Sequence, residues 1–311
     1  MKPVCPNCNS THLIKKGVRY SVRTESKNQR YKCFTCNKSF QISVESPNYG
    51  IPKILLFDIE TALMEVYVWG LYKQFISHNN IIKDKDGEEK SWFVLSWAAK
   101  WLYDENVQSD IVTPKEARKR KDKRILESIW KLLDEAEIVI GHNLDRFDIR
   151  KLNARFIDND LDPPSPYKTI DTLKIARREF AFVSYKQDYL TKHFKLEQKL
   201  ETSFDLWVKC MQGNQEALNT MEEYNCHDVM GLEEVYLKLR PYIKNHPNLG
   251  VLMDANVCPN CGCDDLEELD TYYFTTANKF QVYRCIGCKT PYIRSKKNTN
   301  FDQTNVRSVP K

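Results

Sequence analysis

The chain has 311 residues, of which 41% are hydrophobic and 12% aromatic, and its formal net charge is +5. This length suits one sizeable core with appendages, or two ordinary domains. No apolar run approaches the roughly 20 residues that a membrane-spanning helix needs, and the first residues lack the apolar segment of an export signal. We therefore expect a cytoplasmic protein with no membrane segment.

The positive charge is unevenly distributed along the chain. Residues 1–50 carry 9 Lys and Arg against 2 Asp and Glu, whereas residues 51–247 carry 30 against 33. A basic segment attached to a mildly acidic body is typical of proteins that contact nucleic acid, although it also fits ordinary solubility.

The eleven cysteines indicate metal binding rather than disulfide bonds, because we expect a reducing compartment. Eight of them form four Cys-x-x-Cys pairs, which are Cys5 and Cys8, Cys33 and Cys36, Cys258 and Cys261, and Cys285 and Cys288. Two such pairs complete a tetrahedral four-thiolate Zn²⁺ site. Residues 1–46 and 256–294 are therefore predicted to be zinc ribbons, each holding one structural Zn²⁺. Cys263 is a spare thiol, and the sequence leaves open whether it replaces Cys261.

A turn-rich linker precedes the body, which we place at residues 51–247. The body opens on a buried strand, residues 53–61, whose apolar residues 54–57 are followed by Asp58 and Glu60. These two carboxylates are two positions apart and therefore point to one side of the strand. They repel each other unless a cation lies between them, although an acidic pair at a strand end also fits a solvated turn.

The remaining pattern predicts alternating strands and helices. Residues 91–102 and 111–113 favour further strands, and one helix is predicted over residues 114–135, with a charged run on its solvated face. The later predicted elements are a strand at 138–140, a helix beginning near Asp148, a strand and helix within 170–180, and a long helix at 214–242. This order indicates a mixed sheet flanked by helices. The tail, residues 295–311, is polar and predicted to be disordered.

Two further acidic motifs follow in the body, Asn143-Leu-Asp-Arg-Phe-Asp148 and Tyr224-Asn-Cys-His-Asp228. In a helix, Tyr224 and Asp228 are four residues apart and share one face. Buried polar groups on that face need a partner, and a metal site supplies one.

The three motifs together resemble the DEDD-type 3′-to-5′ exonucleases of the ribonuclease H-like superfamily, over residues 53–243. Tyr224 precedes Asp228 by four residues, as in the tyrosine subgroup, whereas the histidine subgroup has its histidine where this chain has Glu223. His227 is therefore expected to be an ordinary helix histidine. The segments GHNLDRFDIRKL and IDTLKIAR are most similar to the stand-alone bacterial and viral branch.

The resemblance implies an α/β fold with a ribonuclease H-like mixed sheet and a site for two Mg²⁺ or Mn²⁺. By resemblance, Asp58 bridges both ions, Glu60 and Asp228 hold the ion that activates water, and Asp148 serves the second. Tyr224 would orient the water and the scissile phosphate. Asp145 is the rival to Asp148 for the second motif, and Asp171 is expected to be a helix N-cap.

The resemblance implies an exonuclease that releases nucleoside 5′-monophosphates from single-stranded 3′ ends. Two other functions stay open: a nucleic-acid-binding module without catalysis, and a phosphodiesterase acting on a small signalling nucleotide. Basic residues of the first ribbon are predicted to contact phosphates, namely Lys15, Lys16, Arg19, Arg23, Arg30 and Lys32. The ribbons also fit packing on the body or binding a protein partner. The motifs do not choose DNA over RNA.

Overall fold

The computed structural model describes residues 5–8, 10, 12–21, 26–43, 52–72, 75–196, 202–253, 255, 257–276 and 278–293. The predicted disordered tail and residues 46–50 of the linker lie outside these ranges. The chain divides into two compact units, of which one is Lys53–Leu239 and the other combines Met1–Pro52 with Arg240–Lys311. Within the described ranges, no helix has the length and apolar content required to cross a lipid bilayer.

The unit Lys53–Leu239 is built on a five-stranded mixed sheet. Its strands are β1 (Ile54–Thr61), β2 (Val94–Trp101), β3 (Gln108–Ile111), β4 (Ile138–Gly141) and β5 (Lys168–Asp171). Their order in the sheet is β3-β2-β1-β4-β5. The pairs β1–β2 and β2–β3 are antiparallel, and β1–β4 and β4–β5 are parallel. The predicted mixed sheet flanked by helices is thus confirmed.

The helices of this unit are α1 (Pro114–Lys119), α2 (Lys123–Glu135), α3 (Asp148–Asp158), α4 (Thr172–Glu179), α5 (Gln187–His193), α6 (Phe204–Met211) and α7 (Gln215–Leu239). The long helix α7 packs on β1 and β2 through its buried side, which includes Leu218, Leu232 and Val235. Strand β1 lies at the centre of the sheet, and its residues from Ile54 to Phe57 are buried. This burial fixes the register of β1 and therefore the position of the polar residues that end it.

The predicted single helix over residues 114–135 is wrong, because the chain breaks between α1 and α2. Arg120 adopts the left-handed conformation with φ 51°. Its guanidinium donates to the carbonyl oxygens of Ser91 at 2.7 Å and Leu63 at 3.2 Å, and it pairs with Glu65. These contacts hold Arg120 in place at the break. Arg120 therefore has a structural role, although it belongs to the charged run that we predicted on a solvated face.

The strand predicted at residues 111–113 is also displaced. The observed strand β3 is Gln108–Ile111, and Thr113 is instead the N-cap of α1. The Thr113 hydroxyl accepts from the Glu116 backbone N–H at 3.3 Å, and the Glu116 carboxylate accepts from the Thr113 N–H at 2.7 Å. This reciprocal capping box ends the extended segment before α1.

The cysteine pairs lie in two small three-stranded modules. The first contains the strands Leu13–Ser21, Ser26–Cys33 and Ser39–Ser43, and the second contains Leu266–Phe274, Lys279–Cys285 and Pro291–Ile293. In each module all four cysteine sulfurs lie within 4.8 Å of one another. The fourth sulfur of the second cluster belongs to Cys261, whereas Cys263 lies outside this cluster. Both clusters are compatible with zinc ribbons.

A buried ion pair between Arg155 of α3 and Asp122, the residue before α2, connects α3 to the first residue of β2. The Asp122 side chain is fully buried, and its Oδ2 accepts from the Val94 backbone N–H at 2.9 Å. The Arg155 guanidinium donates to both Asp122 oxygens, at 2.6 and 2.8 Å, and to the exposed Asp158 at 2.9 Å. Asp122 is therefore the buried partner of Arg155, and Asp158 is the exposed one.

We predict that Asp122→Ala lowers the free energy of unfolding by about 3 kcal/mol, because it leaves a largely buried guanidinium without its main partner. Asp158→Ala removes the exposed partner of the same arginine and should cost no more than about 0.5 kcal/mol. Urea unfolding of the two variants measures the difference. Equal destabilisation would contradict this assignment.

Candidate active site

Three carboxylates meet where β1 ends. Asp58 and Glu60 project from β1, and Asp228 projects from α7, which packs against this strand. One oxygen from each of the three lies within 4.8 Å of the others. Like charges this close favour protonation or a bound cation. The sequence predicted these three residues as one cluster, and the fold brings them together.

Asp148 lies beside this cluster, as the first residue of α3. Its Oδ1 accepts a hydrogen bond from the Ile59 backbone N–H at 3.3 Å, which places it against the strand segment between Asp58 and Glu60. Burial raises the pKa of the Asp148 carboxyl to about 7, and the negative charges of Glu60 and Asp171 contribute to this rise. A nearby divalent cation would favour the ionised form instead.

A buried hydrogen-bond chain that we did not predict orients Asp58. The Asn225 side-chain amide donates to Asp58 Oδ2 at 2.8 Å, and the Ser96 hydroxyl donates to Asn225 Oδ1 at 3.1 Å. Both Asn225 and Ser96 are fully buried. This chain fixes the amide so that its N–H₂ group faces the carboxylate. Asn225 therefore holds one rotamer of Asp58.

Tyr224 lies one turn before Asp228 on α7. Its side chain is buried, and its ring packs edge-on against Trp207 of α6 with 6.1 Å between the ring centroids. His227 is half-buried on the same helix. Tyr224, His227 and Asp228 thus lie on one continuous helix, on which Tyr224 precedes Asp228 by four residues.

Asp145, which lies within the second motif, and Asp171, which follows it in the chain, each have hydrogen-bond partners outside the acidic cluster. Asp145 accepts a hydrogen bond from Lys174 Nζ at 2.6 Å. Asp171 is the N-cap of α4 and accepts from the backbone N–H groups of Leu173 and Lys174, at 3.0 and 3.2 Å. The N-cap prediction is confirmed. The ion pair of Asp145 and the contact of Asp148 with β1 favour Asp148 as the member of the acidic site.

A groove of about 660 Å³ opens beside the carboxylates Asp58, Glu60 and Asp228. Its other walls supply aromatic and basic side chains, which are Phe147, Arg177, Tyr185, Lys186 and His142. The ring nitrogens of His142 lie 2.9 Å from the Thr172 hydroxyl and 2.9 Å from the Tyr185 carbonyl oxygen, so His142 connects α4 to the segment before α5. The groove therefore combines stacking surfaces with positive charge next to an acidic cluster.

The predicted basic residues of the first module lie on two neighbouring strands. Lys15, Lys16 and Arg19 belong to the strand Leu13–Ser21. Arg30, which is exposed, and Lys32 belong to the strand Ser26–Cys33. Arg23 lies outside the described ranges. In the same module the sulfurs of Cys5 and Cys36 are 3.6 Å apart.

Residues 98–240 match the family model of the RNase H superfamily. The matched segment contains Asp148, Tyr224 and Asp228, while β1 with Asp58 and Glu60 precedes it. No curated protein matches the chain. Together with the five-stranded mixed sheet, this match defines an RNase H-like domain. That superfamily consists mostly of nucleases, so the fold suggests nuclease-like activity.

If Asp58 is a metal ligand, we predict that Asn225→Ala weakens Mn²⁺ binding by about ten-fold or more, because removing a group that orients a metal ligand typically costs this much. Asn219→Ala is the matched control, since Asn219 lies on the same helix but is exposed. Calorimetric titration with Mn²⁺ measures both variants. If Asn225→Ala binds Mn²⁺ as tightly as Asn219→Ala, then Asn225 has no role in ordering the site.

Proposed function

We propose that this chain is a metal-dependent 3′-to-5′ exonuclease that acts on single-stranded nucleic acid and releases nucleoside 5′-monophosphates. The observation that carries the proposal is the crowding of Asp58, Glu60 and Asp228 within 4.8 Å at the end of β1. The RNase H-like sheet supports the proposal. The 3′-to-5′ direction and the tyrosine subgroup are inferred from the resemblance of the three ordered motifs.

The donor set of this site fits Mg²⁺ or Mn²⁺. All of the candidate ligands are carboxylate oxygens, and hard oxygen donors favour these ions over Zn²⁺. Asp58 would contact both ions, Glu60 and Asp228 the first, and Asp148 the second. Such ions lower the pKa of an attacking water and offset the negative charge that develops on the phosphate.

The protein's own groups would position the substrate. The groove beside the carboxylates offers Phe147 and Tyr185 for stacking on a base, and Arg177 and Lys186 for its phosphates. Arg177 lies over the Tyr185 ring at 6.0 Å, which links the basic and aromatic surfaces. The Tyr224 hydroxyl would orient the attacking water and the scissile phosphate.

The two cysteine modules would each hold one structural Zn²⁺. The donor set fits, because four thiolates bind Zn²⁺ tetrahedrally and leave no coordination position for a reacting water. In the second module the sulfurs of Cys258 and Cys288 are 3.6 Å apart and those of Cys261 and Cys285 are 3.5 Å apart. Modules this small have little core, so the ion would stabilise their fold. We assign the basic first module to phosphate contact.

The direct test uses a 5′-labelled oligonucleotide incubated with Mg²⁺ or Mn²⁺. The wild-type protein should produce a ladder of products shortened from the 3′ end, and Asp58→Ala should produce none, because it removes the carboxylate shared by both ions. A panel of single-stranded DNA, single-stranded RNA and cyclic dinucleotides defines the substrate class. Cleavage of cyclic dinucleotides alone would favour a signalling phosphodiesterase, and a ladder from Asp58→Ala would overturn the assignment of the site.

We predict that Tyr224→Phe lowers kcat about 10²-fold with little change in substrate affinity, which corresponds to roughly 2.7 kcal/mol of transition-state stabilisation. The hydroxyl is the only group removed, so the packing on Trp207 is preserved. His227→Ala serves as the control on the same helix and should keep wild-type kcat. Steady-state kinetics of both variants decide the subgroup, since an inactive His227→Ala beside a fully active Tyr224→Phe would reverse it.

For the first module, we predict that replacing Lys15, Lys16 and Arg19 with Gln weakens binding to a long single strand. The slope of log affinity against log salt concentration should become shallower by about 0.7 for each phosphate that the module no longer neutralises. The matched control replaces three exposed basic residues of the body with Gln, which are Lys115, Lys119 and Lys121. Both variants have the same net charge. Equal slopes in the two variants would show that the module does not contact phosphates.

A further inference from the structure

A lysine of α3 lies between two aromatic rings beside the groove. Lys151 Nζ is 3.6 Å from the centroid of the Trp92 ring and 5.7 Å from the centroid of the Phe147 ring. Phe147 lines the groove that contains the acidic cluster. The Lys151 backbone N–H donates to the Phe147 carbonyl oxygen at 2.9 Å, so the two residues are one helical turn apart on the same side. The ammonium group therefore lies next to the groove.

The Trp92 ring under this lysine is itself held in place. Trp92 directly precedes Phe93, which is fully buried before β2. The Arg155 guanidinium lies 5.9 Å from the centroid of the Trp92 ring, and the buried Asp122 holds Arg155. A cation over an indole ring is the most favourable kind of cation–π contact. Trp92 therefore supports the Lys151 side chain from a fixed position.

Within the part of the chain that the structure describes, no carboxylate forms an ion pair with Lys151. Burial lowers the pKa of its ammonium group, and no neighbouring acid opposes this effect. The two nearest acidic residues of the segment are engaged elsewhere, since Asp145 pairs with Lys174 and Asp148 accepts a hydrogen bond from β1. A partly desolvated cation without such a partner gains from binding an anion.

The remaining charges around α3 are distributed unevenly along the helix. Asp158 and Asp160 lie seven and nine residues after Lys151, which is about 10 Å or more along the helix axis. Arg146 and Arg150 lie at the other end, beside the groove, and both are exposed. The end of α3 that reaches the acidic site is therefore the basic end, and it suits an anionic strand.

We propose that Lys151 binds a backbone phosphate of the single strand whose 3′ end lies in the acidic site, and that Trp92 positions the lysine. This inference rests on the proposed function, because the strand enters through the groove. With the terminal base stacked on Phe147, the ammonium group one turn farther along α3 contacts the phosphate of the next nucleotide upstream. A phosphate contact of this kind sets the position of the strand and carries no sequence preference.

The test measures binding separately from hydrolysis, in full-length protein with Asp58→Ala as the background and Mg²⁺ held constant. Lys151→Met removes the charge and keeps an unbranched apolar stem between the rings. Fluorescence anisotropy with a labelled single strand should show Kd rising about ten-fold or more. The slope of log affinity against log salt concentration should become shallower by about 0.7, the value for one phosphate of a single strand.

Two matched variants isolate the charge and its position. Lys131→Met is the control, because Lys131 is an exposed lysine of α2 and the substitution changes the net charge equally. Its Kd and salt slope should stay at the background values. Lys151→Arg should keep most of the affinity, because a guanidinium also binds phosphate.

The positioning role of Trp92 is tested by a double-mutant cycle. Trp92→Leu should weaken binding when Lys151 is present and add little in the Lys151→Met variant, because the ring acts through the lysine. Equal and additive losses would overturn the positioning role. Thermal unfolding checks that each variant is folded.

Equal Kd values for Lys151→Met and Lys131→Met overturn the proposal, and so does a weaker Kd with an unchanged salt slope. Labelled polyglutamate is the second probe. If Lys151→Met weakens its binding as much as that of the nucleic-acid strand, the site takes acidic protein equally well and the assignment to nucleic acid is overturned. Failure of the proposed function looks different, because protein with Asp58 intact would then leave the strand uncut while the binding comparison still stands.

Discussion

The site depends on one buried strand, whose packing holds mutually repelling carboxylates close together at its end. Burial of the apolar residues of β1 fixes its register, and this register brings Asp58 and Glu60 against Asp228 of α7 whether or not their charges are compensated. Asp148 joins them from α3 under enough burial to raise its carboxyl pKa. Hydrophobic packing therefore stabilises an arrangement that its own electrostatics oppose, and divalent cations would relieve that opposition.

The hydrogen-bond chain from Ser96 through Asn225 orients Asp58, which is one of the crowded carboxylates. An amide that is itself fixed by a buried hydroxyl can donate to only one carboxylate rotamer. The chain also connects β2, α7 and β1, so the packing of the core and the orientation of the acidic site are set together. The buried sheet of the RNase H-like domain therefore fixes the position of the acidic site.

Patterns of apolar residues in the sequence predicted β1 and α7, because strand alternation and helical spacing are local properties. The meeting of their carboxylates was expected from the resemblance of the ordered motifs to a known family. The break at Arg120 was not predictable in this way. The run KEARKRKDKR contains neither Gly nor Pro, and the helix ends there while Arg120 bonds the distant carbonyls of Leu63 and Ser91. Strand β3 was displaced in our prediction because its residues are mostly polar. Asn225 of α7 was missed because its partner Ser96 lies on β2, 129 residues away in the sequence.

The count of Mn²⁺ ions bound to the acidic site tests the central claim most directly. Titration followed by electron paramagnetic resonance should give two bound Mn²⁺ per chain in the wild-type protein, because the four carboxylates are assigned to two ions. Asp148→Ala should keep one ion, and Asp58→Ala should lose both. Two bound Mn²⁺ ions of unchanged affinity in Asp58→Ala would contradict the account.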